Sequence, residues 1–139
     1  MGLIRVDISL ANANDAYMVR KGTLHDSELK QVDVTALVDT GAYMLAINET
    51  IALQLDLPVL EKSVGTLADG SSISVDIVGP VELRFKNRRT TVDAMVLPGD
   101  AEVLLGAIPM EGMDVLVDPL RQELIINPNH PFKPQFSLK

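Results

Sequence analysis

Residues 37–45 read LVDTGAYML, and this stretch decides how the rest of the sequence is interpreted. Two apolar residues lead into Asp39, Thr40 and Gly41, and apolar residues resume soon afterwards. A carboxylate between two apolar runs either begins an ordinary turn or is kept there for its charge and its proton. A lone Asp-Thr-Gly tripeptide is not specific, so the surrounding sequence has to separate these two interpretations.

The composition excludes several classes of protein. The chain has 139 residues, which fits one domain, and 47% of them are hydrophobic, which is enough for a real core. It has no cysteine, which excludes disulfides and thiolate catalysis and suits a reducing compartment. The net charge of -7 argues against a nucleic-acid-binding surface. Since no stretch approaches a transmembrane length, we expect a cytoplasmic protein with neither nucleic acid nor membrane as a partner.

Alternating apolar and polar residues predict a mainly β protein. Residues 3–10 and 29–38 have the two-residue period of half-buried strands, and the second of these runs directly into Asp39. Many short strands and few helices predict a closed, barrel-like fold for a single domain over residues 1–139. The other predicted strands are 63–68, 73–85, 90–97, 103–106, 115–118 and 123–128.

One clear helix, one short helix and one long irregular segment complete this prediction. Residues 48–57 change to a helical period, with Asn48 as the N-cap and Pro58 beyond the end. Residues 107–113 have room for one or two helical turns. Residues 11–28 are polar and mixed, and we expect a long loop or an irregular hairpin tip there.

The common alternatives to an aspartate site find no support in the sequence. His25 and His130 lie in predicted loops, and neither has a second ligand at metal spacing. The glycines around residue 100 lack the lysine and the helix start of a phosphate-binding loop. We therefore expect no metal and no cofactor.

Three short motifs follow one another in a fixed order. VDTGA covers residues 38–42, LADG covers 67–70 and LLGA covers 104–107. With this set the chain resembles the retropepsin-like aspartic proteases, the single-domain family of retroviral proteases and their cellular relatives, and is most similar to the small soluble prokaryotic members. The resemblance extends over about residues 29–128 and leaves the tail at 128–139 outside it. It implies the closed retropepsin, or acid protease, fold.

The resemblance also implies roles for the residues of the three motifs. Asp39 would be the catalytic residue, supported by Thr40, Gly41 and Ala42 of the active-site loop. A hairpin flap, whose tip we expect to be an Asp-Gly turn of type I′, would close over an extended peptide substrate. The flap residues would be Ala68, Asp69 and Gly70, and the residues packed beneath the active-site loop would be Leu104, Leu105 and Gly106.

The number of motifs bears on the oligomeric state. Aspartic proteases use two carboxylates that share one proton, because like charges so close cannot both ionise. This sequence has one Asp-Thr-Gly, so one chain cannot build such a pair, whereas a homodimer with one Asp39 from each subunit can. The resemblance implies this homodimer and an aspartic endopeptidase that activates a water molecule.

Some features depart from the family pattern, and other functions stay open. Tyr43 stands where family members often carry a small or polar residue, Ala42 lacks the hydroxyl found in other members, and residues 11–28 are longer than the family connection. One alternative is a catalytically silent module of the same fold that binds peptides or mediates dimerisation. The other is an unrelated β-barrel interaction module in which Asp39 only begins a turn.

Overall fold

The computed structural model describes residues 3–138, and the mainly β class predicted from the sequence is confirmed. Within these residues the chain forms nine strands, three α-helices and one short 3-10 helix. The strands are β1 (Arg5–Asn12), β2 (Gln31–Val38), β3 (Leu45–Asn48), β4 (Val59–Thr66), β5 (Ser72–Phe85), β6 (Arg88–Leu97), β7 (Val103–Leu105), β8 (Val115–Asp118) and β9 (Glu123–Ile126); the helices are α1 (Ala13–Lys21), α2 (Glu49–Gln54) and α3 (Ala107–Met113), with the 3-10 turn at Asp26–Glu28.

Six strands close into a barrel in the order β1-β2-β7-β3-β6-β5, because β5 pairs back with β1. Strands β2 and β7 run parallel, as do β3 and β6. Strand β4 pairs with the first half of β5, and the residues from Ser72 to Ser74 pair with β4 alone. The β4–β5 hairpin therefore projects from the barrel. Strands β8 and β9 form a separate antiparallel pair.

Apolar residues that alternate along the strands fill the barrel. Leu10 of β1, Leu45 of β3, Leu83 of β5 and Leu105 of β7 have no exposed surface. Full burial of one such side chain stabilises the fold by about 1.5–3 kcal/mol relative to exposure. Because a shift of one residue would turn these side chains to the solvent, the same alternation fixes which face of each strand points outward.

Helix α2 begins where the sequence predicts. Asn48 Oδ1 accepts the N–H of Ile51 at 2.9 Å, which satisfies one of the unpaired donors at the helix N-terminus. The helix is shorter than the predicted 48–57 because Asp56 adopts a positive φ of 50°, which a right-handed helix does not accommodate. No helix within residues 3–138 combines the length and the apolar character needed to cross a membrane.

The predicted long loop or hairpin tip at residues 11–28 is wrong, because this segment forms α1 and the 3-10 turn. Asn12 caps α1 by accepting the N–H of Asp15 at 3.1 Å, and Gly22 ends it with a positive φ of 81°. Within the helix only Ala16 is buried, so the apolar period that reveals most helices is missing. The fold therefore has one α-helix more than predicted. This additional helix, α1, packs on β1 and β5.

The tail beyond β9 is held by polar contacts with Asp114, which follows α3. Its carboxylate accepts the Asn127 side-chain amide and the Gln135 N–H, each at 3.0 Å, and His130 Nδ1 lies 2.6 Å from it. The Gln135 N–H, and after it Asn127 and His130, lower the pKa of Asp114 to about 2. The buried Arg88 donates to the His130 carbonyl oxygen. The tail is therefore attached to the barrel.

Candidate active site

Strand β2 brings Asp39 to the end of β7. The parallel register pairs Val38 with Leu105, and the N–H of Asp39 donates to the Leu105 carbonyl oxygen at 3.0 Å. Asp39 thus leaves the sheet beside the last residue of β7. The first and third sequence motifs, which are far apart in the chain, come together at this point.

Backbone donors hold the Asp39 carboxylate. Its Oδ1 accepts the N–H of Gly41 at 3.0 Å and the N–H of Ala42 at 3.2 Å, which is the geometry of a turn closed by an aspartate side chain. The second carboxylate oxygen, Oδ2, accepts no hydrogen bond from any residue within 3–138. Asp39 is half-buried, whereas Thr40 and Gly41 are exposed. The loop therefore fixes one oxygen and leaves the other available.

Helix α3 supports this loop from behind. Its first two N–H groups, those of Ala107 and Ile108, donate to the carbonyl oxygens of Ala42 and Tyr43 at 2.9 Å each. Gly106 makes this approach possible, because a Cβ there would lie 2.8 Å from the Ala42 oxygen. Two of the donors that a helix N-terminus leaves unpaired are thus satisfied by the Asp39 loop, so the loop and the helix position each other.

A cleft of about 700 Å³ opens beside the Asp39 loop. One wall is the loop itself, and the facing wall is strand β4 of the projecting hairpin. Apolar side chains predominate, and Asp39 is the only carboxylate that lines the cleft among the residues described. The lining residues are Asp39, Gly41, Ala42, Tyr43, Met44, Ala46, Ser63, Val64, Gly65, Thr66, Leu67, Ala68, Met95, Leu97 and Leu104.

The tip of the hairpin is a three-residue loop, and the predicted type I′ turn is wrong. Leu67 and Ser71 close the loop through a 2.8 Å bond from the Leu67 N–H to the Ser71 oxygen, and Gly70 N–H donates to Leu67 oxygen at 2.9 Å. A type I′ turn requires a positive φ at both central residues. Gly70 has one, at 86°, but Asp69 does not. The Ser71 hydroxyl and N–H bind the Asp69 carboxylate and lower its pKa.

The predicted site residues divide into three groups. The first group is the loop that carries the carboxylate, formed by Asp39, Thr40, Gly41 and Ala42. The second group packs against this loop: Leu104 lines the cleft, and Leu105 and Gly106 lie directly behind the loop. The third group belongs to the hairpin. Ala68 reaches the cleft, whereas Asp69 and Gly70 lie at the hairpin tip and do not line it.

Sequence reasoning missed several lining residues, chief among them Tyr43, Val64, Met95 and Leu97. Tyr43 was visible only as a departure from the family pattern. The other three lie on strands, and alternation along a strand cannot tell a cleft wall from any other surface. Among residues 3–138, no group of three or more histidine, aspartate or glutamate side chains is arranged to hold a metal ion.

A comparison with protein families decides the assignment. A profile described as aspartyl protease matches residues 21–108, which is more than half of the chain. The chain belongs to the retropepsin-like aspartyl protease family. The match contains all three motifs, begins earlier than the resemblance over 29–128 and ends before β8.

The family membership supports aspartic protease activity in general. No curated protein matches the chain. The single domain over residues 1–139 and the cytoplasmic location both stay predictions.

Proposed function

We propose that this protein is a homodimeric aspartic endopeptidase in which each subunit supplies one Asp39. The observation that carries the proposal is the Asp39 carboxylate, held through Oδ1 by the N–H groups of Gly41 and Ala42 at the wall of a mainly apolar cleft. A fixed carboxylate with one unbonded oxygen is what the activation of a water molecule needs. The family membership supports the same chemistry.

A second carboxylate has to come from a second chain. Asp-Thr-Gly occurs once in the sequence, and no other acidic residue lines the cleft within residues 3–138. A two-fold axis next to the Asp39 loop brings Asp39 of the partner subunit to the same place. Two carboxylates that close together share one proton, since their like charges cannot both ionise.

The two carboxylates then divide the chemistry. The ionised one takes a proton from a water molecule, whose oxygen attacks the carbonyl carbon of the peptide bond. The protonated one donates a hydrogen bond to the oxygen that gains negative charge. Proton transfer to the leaving nitrogen breaks the carbon–nitrogen bond and releases a carboxylic acid and an amine.

Thr40 and Gly41 of the loop are suited to contact a partner subunit or a substrate. Thr40 is exposed, and its hydroxyl makes no hydrogen bond within residues 3–138, so it is available to a partner subunit. Gly41 has no positive φ, and a Cβ there would meet only Asp39 Oδ1, at 3.4 Å. The fold of one subunit therefore does not require glycine at this position. Close approach of a substrate backbone or of a partner backbone would require it.

The lining of the cleft supports a peptide as the substrate. Strand β4 forms one wall, and an extended peptide fits between this strand and the Asp39 loop as an added strand. Ala68, Asp69 and Gly70 are the flap tip in this proposal, and closure of the flap excludes water. The cytoplasmic location, with peptides and a second copy of the chain as partners, belongs to the same proposal.

Cleavage of an unfolded protein tests the proposed function. Wild-type protein should release discrete fragments, identified by mass spectrometry, and Asp39→Asn should release none, because asparagine cannot carry the proton. Asp33→Asn is the matched control, since Asp33 is an exposed carboxylate on β2, the strand that leads into Asp39. Equal cleavage by the wild type and Asp39→Asn, or no cleavage by the wild type as a demonstrated dimer, would contradict the proposal.

A further inference from the structure

Three arginines converge on one buried carboxylate outside the cleft. Glu82 of β5 is 3% exposed, and its Oε1 lies 2.5 Å from Arg20 Nη2, 3.5 Å from Arg84 Nη2 and 3.9 Å from Arg89 Nη1. One carboxylate balances one of the three guanidinium charges. Glu82 therefore leaves two charges of this cluster unbalanced, and Arg84 also borders a second groove, which Asp7 and Asp33 line.

Two of the three arginines repel each other. Arg84 and Arg89 lie directly opposite each other in the β5–β6 register, and like charges in that position destabilise a sheet. Glu82 does not require both of them, because Arg20 is already within hydrogen-bonding distance of its Oε1. More than half of the Arg84 and Arg89 side-chain surface is exposed, so their remaining N–H donors are accessible.

A cavity of about 220 Å³ lies beside this cluster, between α1 and the barrel. For comparison, an apolar cavity of about 150 Å³ is large enough to bind benzene. The cavity offers both charged groups and an apolar surface to a ligand. Its polar lining residues are Ser9, Arg20, Gln31, Glu82 and Arg84, and its apolar ones are Leu10, Ala11, Ala16, Val19 and Leu29.

We propose that this cavity binds a small organic oxyanion, in which a carboxylate or phosphate group is carried on a compact apolar body. The guanidinium group of Arg84, which lines the cavity, binds the oxyanion together with that of Arg89, which lies outside the lining but directly opposite Arg84 in the β5–β6 register. The planar pairs of N–H donors of an arginine match two oxygens at once. The apolar body lies against Ala16 and Val19 of α1. The bound anion removes the repulsion between the two arginines.

Titration with small anions, followed by NMR of the whole protein, tests this site. Phenyl phosphate and benzoate are the two charged probes, and benzyl alcohol is the uncharged control. At least one charged probe should saturate at millimolar concentration, and the tighter of the two identifies the anion as phosphate or carboxylate. Inorganic phosphate should bind more weakly than phenyl phosphate, since it lacks the apolar body.

Variants locate the binding. Arg84→Gln and Arg89→Gln should each weaken the tighter probe about tenfold or more, and the exposed Arg121→Gln should leave it unchanged. Equal binding by all three variants, equal binding of benzyl alcohol, or no saturation by any anion would overturn the proposal.

Stability without ligand separates this role from a structural one. If the role of Arg89 is to bind a ligand anion, Arg89→Gln should be at least as stable as the wild type when both are free of ligand, because the substitution removes the repulsion between residue 89 and Arg84. If Arg89 is there only to neutralise Glu82, the same variant should be less stable. A clear loss of stability in denaturant unfolding at low salt would therefore overturn the proposal.

Discussion

The N–H of Ala107 donates a 2.9 Å hydrogen bond to the carbonyl oxygen of Ala42 and so joins the first residue of α3 to the loop that carries Asp39. This bond explains why an apolar-apolar-Gly motif accompanies Asp-Thr-Gly. The two apolar residues belong to β7, which pairs with β2, and the glycine lets the chain pass directly behind the loop. The position of the carboxylate thus depends on both motifs.

Gly106→Ala should lower the free energy of unfolding by about 1–3 kcal/mol, the usual effect of overpacking a closed site. The added Cβ would lie 2.8 Å from the Ala42 oxygen and closer still to that of Met44, and both are backbone atoms that cannot rotate away. Urea unfolding measures the change. Gly70→Ala is the control, since nothing lies within 4 Å of its Cβ and only its positive φ opposes the substitution. Equal stability of Gly106→Ala and wild type would contradict this account of the loop.

The barrel could be predicted from the sequence because it depends on local patterns, whereas the Asp39 loop was singled out by its resemblance to the motif of the family. Alternation over short runs marked the strands, and Asn48 with Pro58 marked α2. Helix α1 was missed because its burial is confined to Ala16, although its two ends carry residues typical of caps, Asn12 and Gly22. Caps without an apolar period look the same as the polar residues of a loop.

Other features depend on contacts between distant parts of the chain. The cluster that holds the tail joins Arg88 of β6, Asp114 after α3 and His130 of the tail, and no spacing in the sequence connects them. The same applies to Met95 in the cleft wall. The hairpin tip was misassigned for a different reason, since Asp-Gly fits both a type I′ turn and a three-residue loop with glycine at the positive φ.

Asp114→Asn should destabilise the protein by about 2 kcal/mol at neutral pH and by much less near pH 2. The pKa of Asp114 falls from 3.8 to about 2 on folding, so its ionised form stabilises the fold above about pH 4. This stabilisation is lost as the pH falls from about 4 to about 2. Urea unfolding at several pH values measures it, with the exposed Asp26→Asn as control. A difference between Asp114→Asn and wild type that does not shrink with acid would refute this assignment.

Gly70→Val should reduce kcat/KM about tenfold or more while lowering stability by only about 1–2 kcal/mol. Valine resists the positive φ of 86°, and the tip is exposed but has to close over the substrate in the proposed mechanism. Gly22→Val is a matched control, because Gly22 has a φ of 81°, open space around it and no place in the cleft. If both variants lose the same activity, the hairpin tip does not act as a flap.

Tyrosine fluorescence should report peptide binding through Tyr43, which lines the cleft and is 75% exposed. The chain has two tyrosines and no tryptophan, so Tyr17→Phe leaves Tyr43 as the only emitter. In the Asp39→Asn background, a peptide with large apolar side chains and no tyrosine or tryptophan should change this emission to saturation. Tyr43→Phe, which keeps Tyr17, is the control and should show no change. A response from Tyr17 alone would place the peptide elsewhere.

Activity should depend on dimerisation, because each subunit supplies a single carboxylate. Specific activity should fall over a dilution series in step with the dimer fraction measured by sedimentation equilibrium. Excess Asp39→Asn should suppress the wild type, since mixed dimers hold only one working carboxylate. At a threefold excess of variant, a wild-type chain pairs with a second wild-type chain about one time in four. The activity per wild-type chain should therefore fall about fourfold. Asp33→Asn in the same excess should cause no such loss. A fully active monomer, or undiminished activity after proven subunit exchange, would exclude a site shared between two subunits.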